Sequence, residues 1–251
     1  MSTGNPAFAY QNSPGYQQVY GMPGVATATV SGTIGKTSLL AAILSGAAIW
    51  TWSAAASNSL NPTVLIASVI GGLVLAIVTI MSPRLAPWTS PFYALLEGVA
   101  LGAISYMYET RFRGSHPGIA LQAVAMTMGT LIVMLFAYTT RLISVTNRLR
   151  SGIIIATGAI GLVYLVSFIV MMCGVPVPFL RDASALGIGF SVVVVGVAAF
   201  NLLLDFDFIE RSAAQGAPKY MEWYGAFGLM VTLVWLYLEI LRLLSKISRN
   251  R

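Results

Sequence analysis

The sequence carries very little charge. It has 14 Lys and Arg and 8 Asp and Glu in 251 residues, so charged residues make up 9%, against about 25% in a typical soluble domain. Apolar residues make up 57%. So few charges cannot cover the water-facing surface of a chain of this length, which argues against a soluble globular enzyme. The single cysteine, Cys173, also excludes a disulfide scaffold.

Residues that support catalysis or metal binding are equally scarce. One histidine, His116, and one cysteine cannot build a metal cluster, and no glycine loop has the spacing of a phosphate-binding motif. We therefore expect no enzymatic activity and no cofactor. The net charge of +6 is scattered between apolar runs, which is typical of loops near lipid headgroups and does not indicate a nucleic-acid partner.

The first 35 residues contain no Lys, Arg, Asp or Glu and are rich in Gly, Pro, Gln, Tyr, Ser and Thr. That composition cannot bury enough apolar surface to offset the entropy lost on ordering. We predict a flexible polar tail over residues 1–35, a membrane domain over 36–247 and a short basic C-terminus over 248–251.

Long apolar runs dominate the chain after residue 36. A helix that crosses the hydrocarbon needs about 20 mostly apolar residues, and the sequence predicts an all-α integral membrane protein with seven such helices. Lys and Arg divide seven to seven between the two sides, so the positive-inside rule predicts no orientation. The predicted spans are Ser38–Ser57, Pro62–Ser82, Phe92–Tyr108, Gly118–Thr140, Gly152–Cys173, Ser184 to Leu204 or Ile209, and Trp223–Leu244.

Three of the eight acidic residues, Glu97, Asp205 and Glu239, fall inside or at the edge of apolar runs. A charge at the bilayer centre costs about 2.5–3.5 kcal/mol on insertion scales, so such residues are candidates for function. Each also has a structural interpretation. Glu97 could be a hydrogen-bonded packing residue, Asp205 a helix-end carboxylate, and Glu239 a partner of Arg242 one turn away. The other five acids are interpreted as solvated.

Two further patterns accompany these acids. Asn201 precedes Asp205 by one helical turn on the same face, whereas Asp207 is rotated toward the loop. Small residues at Ala94, Gly98 and Gly102 recur every four positions, which predicts a face that another helix can approach closely.

At these positions the sequence resembles the transmembrane Bax inhibitor motif family, also called the Bax inhibitor-1/YccA family. The resemblance covers about residues 36–247, and the polar tail is similar to that of actinobacterial members. Three segments carry it: Ala94-Leu-Leu-Glu97-Gly98 with Gly102-Ala-Ile-Ser105, Asn201-Leu-Leu-Leu-Asp205-Phe-Asp207-Phe-Ile209, and Leu236-Tyr-Leu-Glu239 with Leu241-Arg-Leu-Leu244.

The resemblance implies a seven-helix bundle with the last helix central, in a bacterial plasma membrane, acting as a pH-sensitive calcium leak. In that family a carboxylate on the sixth helix and one on the seventh form a dyad, which by motif position would be Asp205 and Glu239. Two such groups share a proton over part of the pH range, and Ca²⁺ can replace that proton. The supporting polar residues would be Glu97, Asn201, Asp207, Arg242 and, as the arginine that latches the dyad, Arg84.

The dyad imposes a geometric condition on the seventh helix. Counted from Trp223, Glu239 would be 16 residues, or about 24 Å, along the helix, too deep to meet Asp205. We therefore predict a break around Gly225 to Gly228.

Two other functions remain open at this point. One is a membrane regulator that binds other membrane proteins, for example a modulator of a protease or of a stress response, through the Gly98/Gly102 face. The other is a proton-coupled carrier of a small solute. The expected partners are the lipid bilayer, Ca²⁺ or H⁺, and a membrane protein in the case of the regulator.

Overall fold

The structure, a computed structural model, describes residues 27–174 and 184–249. Within these ranges the chain forms seven α-helices of 20 to 30 residues and one short 3₁₀ turn, Pro83–Leu85. No strand is present there beyond an isolated bridge between Thr27 and Pro218. The helices are α1 Val30–Ala56, α2 Pro62–Met81, α3 Ala86–Phe112, α4 Ile119–Thr139, α5 Asn147–Met172, α6 Ala185–Ala214 and α7 Met221–Arg249.

Two of the predicted boundaries, at residues 35 and 247, fall inside helices of the structure. The predicted tail falls outside the described residues as far as residue 26, but α1 begins at Val30, so residues 30–35 are helical. The side chain of Thr29 caps α1 by accepting a hydrogen bond from the Gly32 amide, a start signal that outweighs the polar composition around it. At the other end α7 continues to Arg249.

Six of the seven helices are long and apolar enough to cross a membrane, which confirms an all-helical multipass protein. The exception among the described residues is α3. With 27 residues it is long enough, but it is less apolar because it carries Glu97, Glu109 and Arg111. The prediction of seven spans is therefore confirmed only in part.

Helix α7 lies at the centre of the bundle. It packs against α1, α3, α4 and α6. Of its most apolar 18-residue segment, 67% is buried, compared with at most 33% of the same segment in the other five candidate spans. Its buried face contributes Leu233, Leu236 and Ile240 to the main apolar core, together with Leu202 and Leu203 of α6. Residues on this helix are therefore shielded from lipid by their neighbours.

The predicted break at Gly225 to Gly228 is wrong, because α7 is continuous from Met221 to Arg249. Gly225 instead lets α6 approach closely, whereas Gly228 faces the Asp205 carboxyl at an ordinary contact distance. A Cβ at Gly225 would lie 3.1 Å from Cγ1 of Ile209, and one at Gly228 would lie 3.8 Å from Oδ1 of Asp205. Glycine in this helix thus serves packing between helices.

The small-residue face of α3 lies against α1. A Cβ added at Gly98 would meet the Leu44 carbonyl and come within 2.8 Å of the Ala47 Cβ, and one at Gly102 would come within 2.9 Å of the Thr51 Cβ. Ala94 on the same face is fully buried. The face is therefore occupied within the chain and is not available to another protein.

The carboxylate of Glu222 joins the beginning of α1 to the beginning of α7. It is fully buried, accepts hydrogen bonds from the amide and hydroxyl of Thr29, both at 2.9 Å, and pairs with Lys36 and Lys219. The interpretation of Glu222 as a solvated acid is therefore wrong. Two cations and the amino end of α1 compensate its charge, which hydropathy could not reveal.

The α1–α3 packing predicts unequal effects of two glycine-to-alanine substitutions. Gly98→Ala should lower the free energy of unfolding by about 1–3 kcal/mol, because the added methyl overfills the contact with Leu44 and Ala47. Gly129→Ala on α4, where no atom lies within 4 Å of the added Cβ, should be neutral or stabilise by up to about 1 kcal/mol. Thermal unfolding in detergent measures both, and equal melting temperatures would contradict the close packing.

Candidate functional site

The Asp205 carboxyl group lies in the contact between α6 and the central helix and has no ion-pair partner among the described residues. It lies on α6 and faces α7 at Gly228, where a Cβ would lie 3.8 Å from Oδ1. Its Oδ2 is buried and has no hydrogen-bond partner within residues 27–174 and 184–249. A buried carboxylate without a partner is costly, so this position points to a proton or another cation.

Thr232 lies one helical turn after Gly228 on α7, so its hydroxyl is on the face that meets this carboxyl. Its Oγ1 donates a hydrogen bond to the Gly228 carbonyl at 3.2 Å. A hydroxyl has one proton to donate and two lone pairs to accept with. In this arrangement Thr232 can therefore accept a hydrogen bond from a protonated Asp205, but it has no proton left for an ionised one.

Glu239 is held by a different set of contacts. Its carboxylate accepts hydrogen bonds from Arg242 Nη1 at 2.8 and 2.9 Å and from the Tyr164 hydroxyl on α5 at 2.9 Å. The same hydroxyl accepts a bond from Arg242 Nη1 at 2.6 Å. The pair of Glu239 with Arg242, which the sequence offered as the structural interpretation, is therefore formed, and Tyr164 joins it to α5.

Among the described residues, no hydrogen bond joins Asp205 to Glu239 as a dyad would require. Thr232, the α7 residue that faces Asp205, precedes Glu239 by seven residues, or about 10 Å along the helix. The two carboxyl groups also contact different neighbours, since Asp205 faces α7 from α6, whereas Glu239 reaches α5 through Tyr164. The paired-carboxylate arrangement requires a break in α7, and α7 is unbroken.

Comparison with known proteins identifies the family. A model of the family described as Bax inhibitor 1 like matches residues 5–249. The chain belongs to this family. Searches of curated proteins and of solved structures find no match to it. The family, the helical membrane fold and the motif segments around Asp205 and Glu239 are thus consistent with each other.

In this Bax inhibitor 1 like chain, Asp207 is also buried rather than turned to the loop. It pairs with Arg150 at the start of α5 and, at 2.9 Å, with Arg211 one turn along α6. Asn201 donates a hydrogen bond to the Thr157 hydroxyl on α5 at 2.8 Å. Both residues therefore attach α5 to α6, and neither forms a hydrogen bond with Asp205.

The inner face of α5 follows a spacing of seven residues. Arg150, Thr157 and Tyr164 make the polar contacts to Asp207, Asn201 and Glu239. The buried positions between them repeat at the same spacing: Ile153, Ile160 and Ser167. This is the 3–4 alternation of a narrow helix–helix seam, so α5 is attached largely by its polar contacts.

The remaining sequence candidates lie elsewhere in the bundle. Glu97 on α3 is half-buried against α2, where its Oε2 is 3.2 Å from the position of a Cβ at Gly72. Arg84 lies exposed in the 3₁₀ turn between α2 and α3. Among the described residues, no group of three or more His, Cys, Asp or Glu side chains is placed to hold a metal ion.

Sequence reasoning missed Thr232 as the residue opposite Asp205. A threonine within an apolar run carries no hydropathy signal, and the choice of partner depends on how α6 and α7 are rotated about their axes. A weak signal was Gly228, four residues earlier on the same face, because small residues mark the side of a membrane helix that packs against a neighbour.

The Tyr164 contacts predict that its hydroxyl stabilises the protein. Tyr164→Phe keeps the ring but removes one donor to the Glu239 carboxylate and one acceptor for Arg242, so we expect a loss of about 1.5–3 kcal/mol in the free energy of unfolding. Tyr106→Phe is the matched control, because that ring packs on Trp52 at 5.5 Å without a hydroxyl contact to a described residue. Equal thermal stability of the two variants would show that the α5–α7 connection is not energetically important.

Proposed function

We propose that this chain is a pH-sensitive cation leak across the membrane, with the Asp205 carboxyl as the group that gates it. The observation that carries the proposal is the unpartnered, buried Oδ2 of Asp205 in the contact between α6 and the central helix α7. Membership of the Bax inhibitor 1 like family supports the same reading, as does the resemblance to pH-sensitive calcium leaks. That resemblance also makes a bacterial plasma membrane the proposed location.

The gating step follows from the hydrogen bonds around Asp205. When the carboxyl is protonated, it is neutral and donates a hydrogen bond to the Thr232 hydroxyl. That hydroxyl keeps donating its own proton to the Gly228 carbonyl. When the proton leaves, the Thr232 hydroxyl can turn to donate to the carboxylate instead, and an anionic site for a cation appears between α6 and α7. Protons and cations thus compete for one carboxyl group.

Glu239 and Glu222, which are also buried, do not offer the same site, and Glu97 lies against α2, outside the contact between α6 and α7. Glu239 and Glu222 are each bound to a cationic side chain of the protein, so a permeating cation would have to displace an arginine or a lysine. We therefore place gating at Asp205 and assign Glu239 to the connection between α5 and α7.

No observation specifically favours either of the two alternatives, the membrane regulator or the proton-coupled carrier. The regulator depended on the Gly98/Gly102 face, which α1 covers, and no feature of the described residues indicates a small-solute site for a carrier. The leak is therefore the function that the arrangement of polar groups supports best.

Cation flux into proteoliposomes tests the proposal, with K⁺ and Ca²⁺ measured separately. Flux through the wild type should rise as the pH is raised, because the carboxylate replaces the neutral acid. Asp205→Asn, which cannot ionise, should lower flux at alkaline pH at least about tenfold and abolish its pH dependence.

Glu210→Gln is the matched control, since it makes the same type of change on the same helix at an exposed residue that contacts Tyr138. It should keep the wild-type flux and pH profile. If Asp205→Asn retained that profile as well, Asp205 would not be the gate. If the wild type passed no cation at any pH, the leak itself would be refuted.

A further inference from the structure

The residues around Asp205 define the charge of the site between α6 and α7. On α6 the site has one carboxyl group. On α7 it has the hydroxyl of Thr232 and the backbone at Gly228, neither of which carries a formal charge. The site therefore has a charge of at most −1 when Asp205 is ionised and 0 when it is protonated.

No second charge from the neighbouring helices is directed at this carboxyl. Helix α6 packs against α1, α4, α5 and α7. On α1 the one charged residue, Lys36, binds Glu222. Helix α4 has no charged residue, and its one titratable side chain, Tyr138, donates to Glu210.

The charged and titratable groups of the other two helices are engaged elsewhere. On α5, Arg150 binds Asp207 and Tyr164 binds Glu239, and Arg148 is exposed in the first turn. On α7, the interior groups make contacts of their own: Glu222 with Lys219, Tyr224 with Phe208, Tyr237 with Ser105, Glu239 with Arg242, and Lys246 with the Gly187 carbonyl and the Ser191 hydroxyl. Arg249, at the end of α7, lies over the Phe112 ring.

We propose that Asp205 and Thr232 form a site for a singly charged cation, a proton or an alkali-metal ion, and that Thr232 makes the site discriminate against Ca²⁺. A monovalent cation neutralises the single carboxylate. A divalent ion would leave one positive charge uncompensated in a buried position, which is costly. Calcium also needs six to eight oxygen ligands, and its affinity rises with the number of charged ones.

This inference rests on the proposed function only in placing Asp205 on the path of the permeating ion. The decisive variant is Thr232→Asp, which places a second carboxyl group opposite Asp205. Thr139→Asp is its control, because it adds the same charge at an exposed position at the end of α4.

Flux of K⁺ and Ca²⁺ at alkaline pH, measured on the same proteoliposomes, gives the selectivity. The wild type should pass K⁺ at least about tenfold faster than Ca²⁺, and Thr232→Asp should raise the ratio of Ca²⁺ to K⁺ flux at least about tenfold. Thr139→Asp should leave the ratio unchanged. Wild-type Ca²⁺ flux equal to or faster than K⁺ flux would overturn the inference even if Thr232→Asp failed to fold.

Calcium titration followed by the melting temperature in detergent tests the same site without transport. Added Ca²⁺ should raise the melting temperature of Thr232→Asp but not that of the wild type, because binding to the folded state stabilises it. If proteoliposomes that contain the wild type pass no cation, the proposed leak function is refuted. The calcium titration still tests the charge selectivity of the site in that case. A rise of equal size in the wild type would overturn it.

Discussion

A carboxylate inside a membrane protein has to exchange the water it loses for cations or hydrogen-bond donors of the protein itself. This requirement organises the interior of the bundle. Asp207 is neutralised by two arginines, Glu222 by two lysines, and Glu239 by Arg242 with help from Tyr164. Each of these acids also fastens one helix to another, through Arg150, Lys36 and Tyr164 respectively, so the acids that look misplaced in an apolar sequence act as connectors.

Asp205 differs because its partners are neutral. One of its oxygens has no donor among the described residues, and the group opposite it is a hydroxyl already donated to a backbone carbonyl. Structural acids are satisfied by permanent partners, whereas an acid that exchanges protons or ions has to be satisfied only part of the time. Within one bundle the two kinds of acid can thus be distinguished by the charge of their neighbours.

Apolar runs were sufficient to predict the helices, because a hydrocarbon solvent leaves the backbone few other ways to satisfy its hydrogen bonds. Boundaries were less certain where polar residues belong to a helix, as at Val30–Lys36 and Met221–Glu222. Pairings between helices were harder still. The Glu239–Arg242 pair lies within one turn and was visible from spacing, but the contacts of Asp205 with Thr232 and of Glu222 with Lys36 depend on helix rotation and on residues far apart in sequence.

The position of α7 has a consequence for how the protein is made. The helix that occupies the centre follows the other six in the chain, so those six are synthesised before their core exists. The contact of Lys36 with Glu222 spans 186 residues and forms only after the start of α7 has been synthesised. A chain truncated before Met221 would lack both its central helix and the ion pair that holds its first helix. Such a chain would be a substrate for membrane quality control.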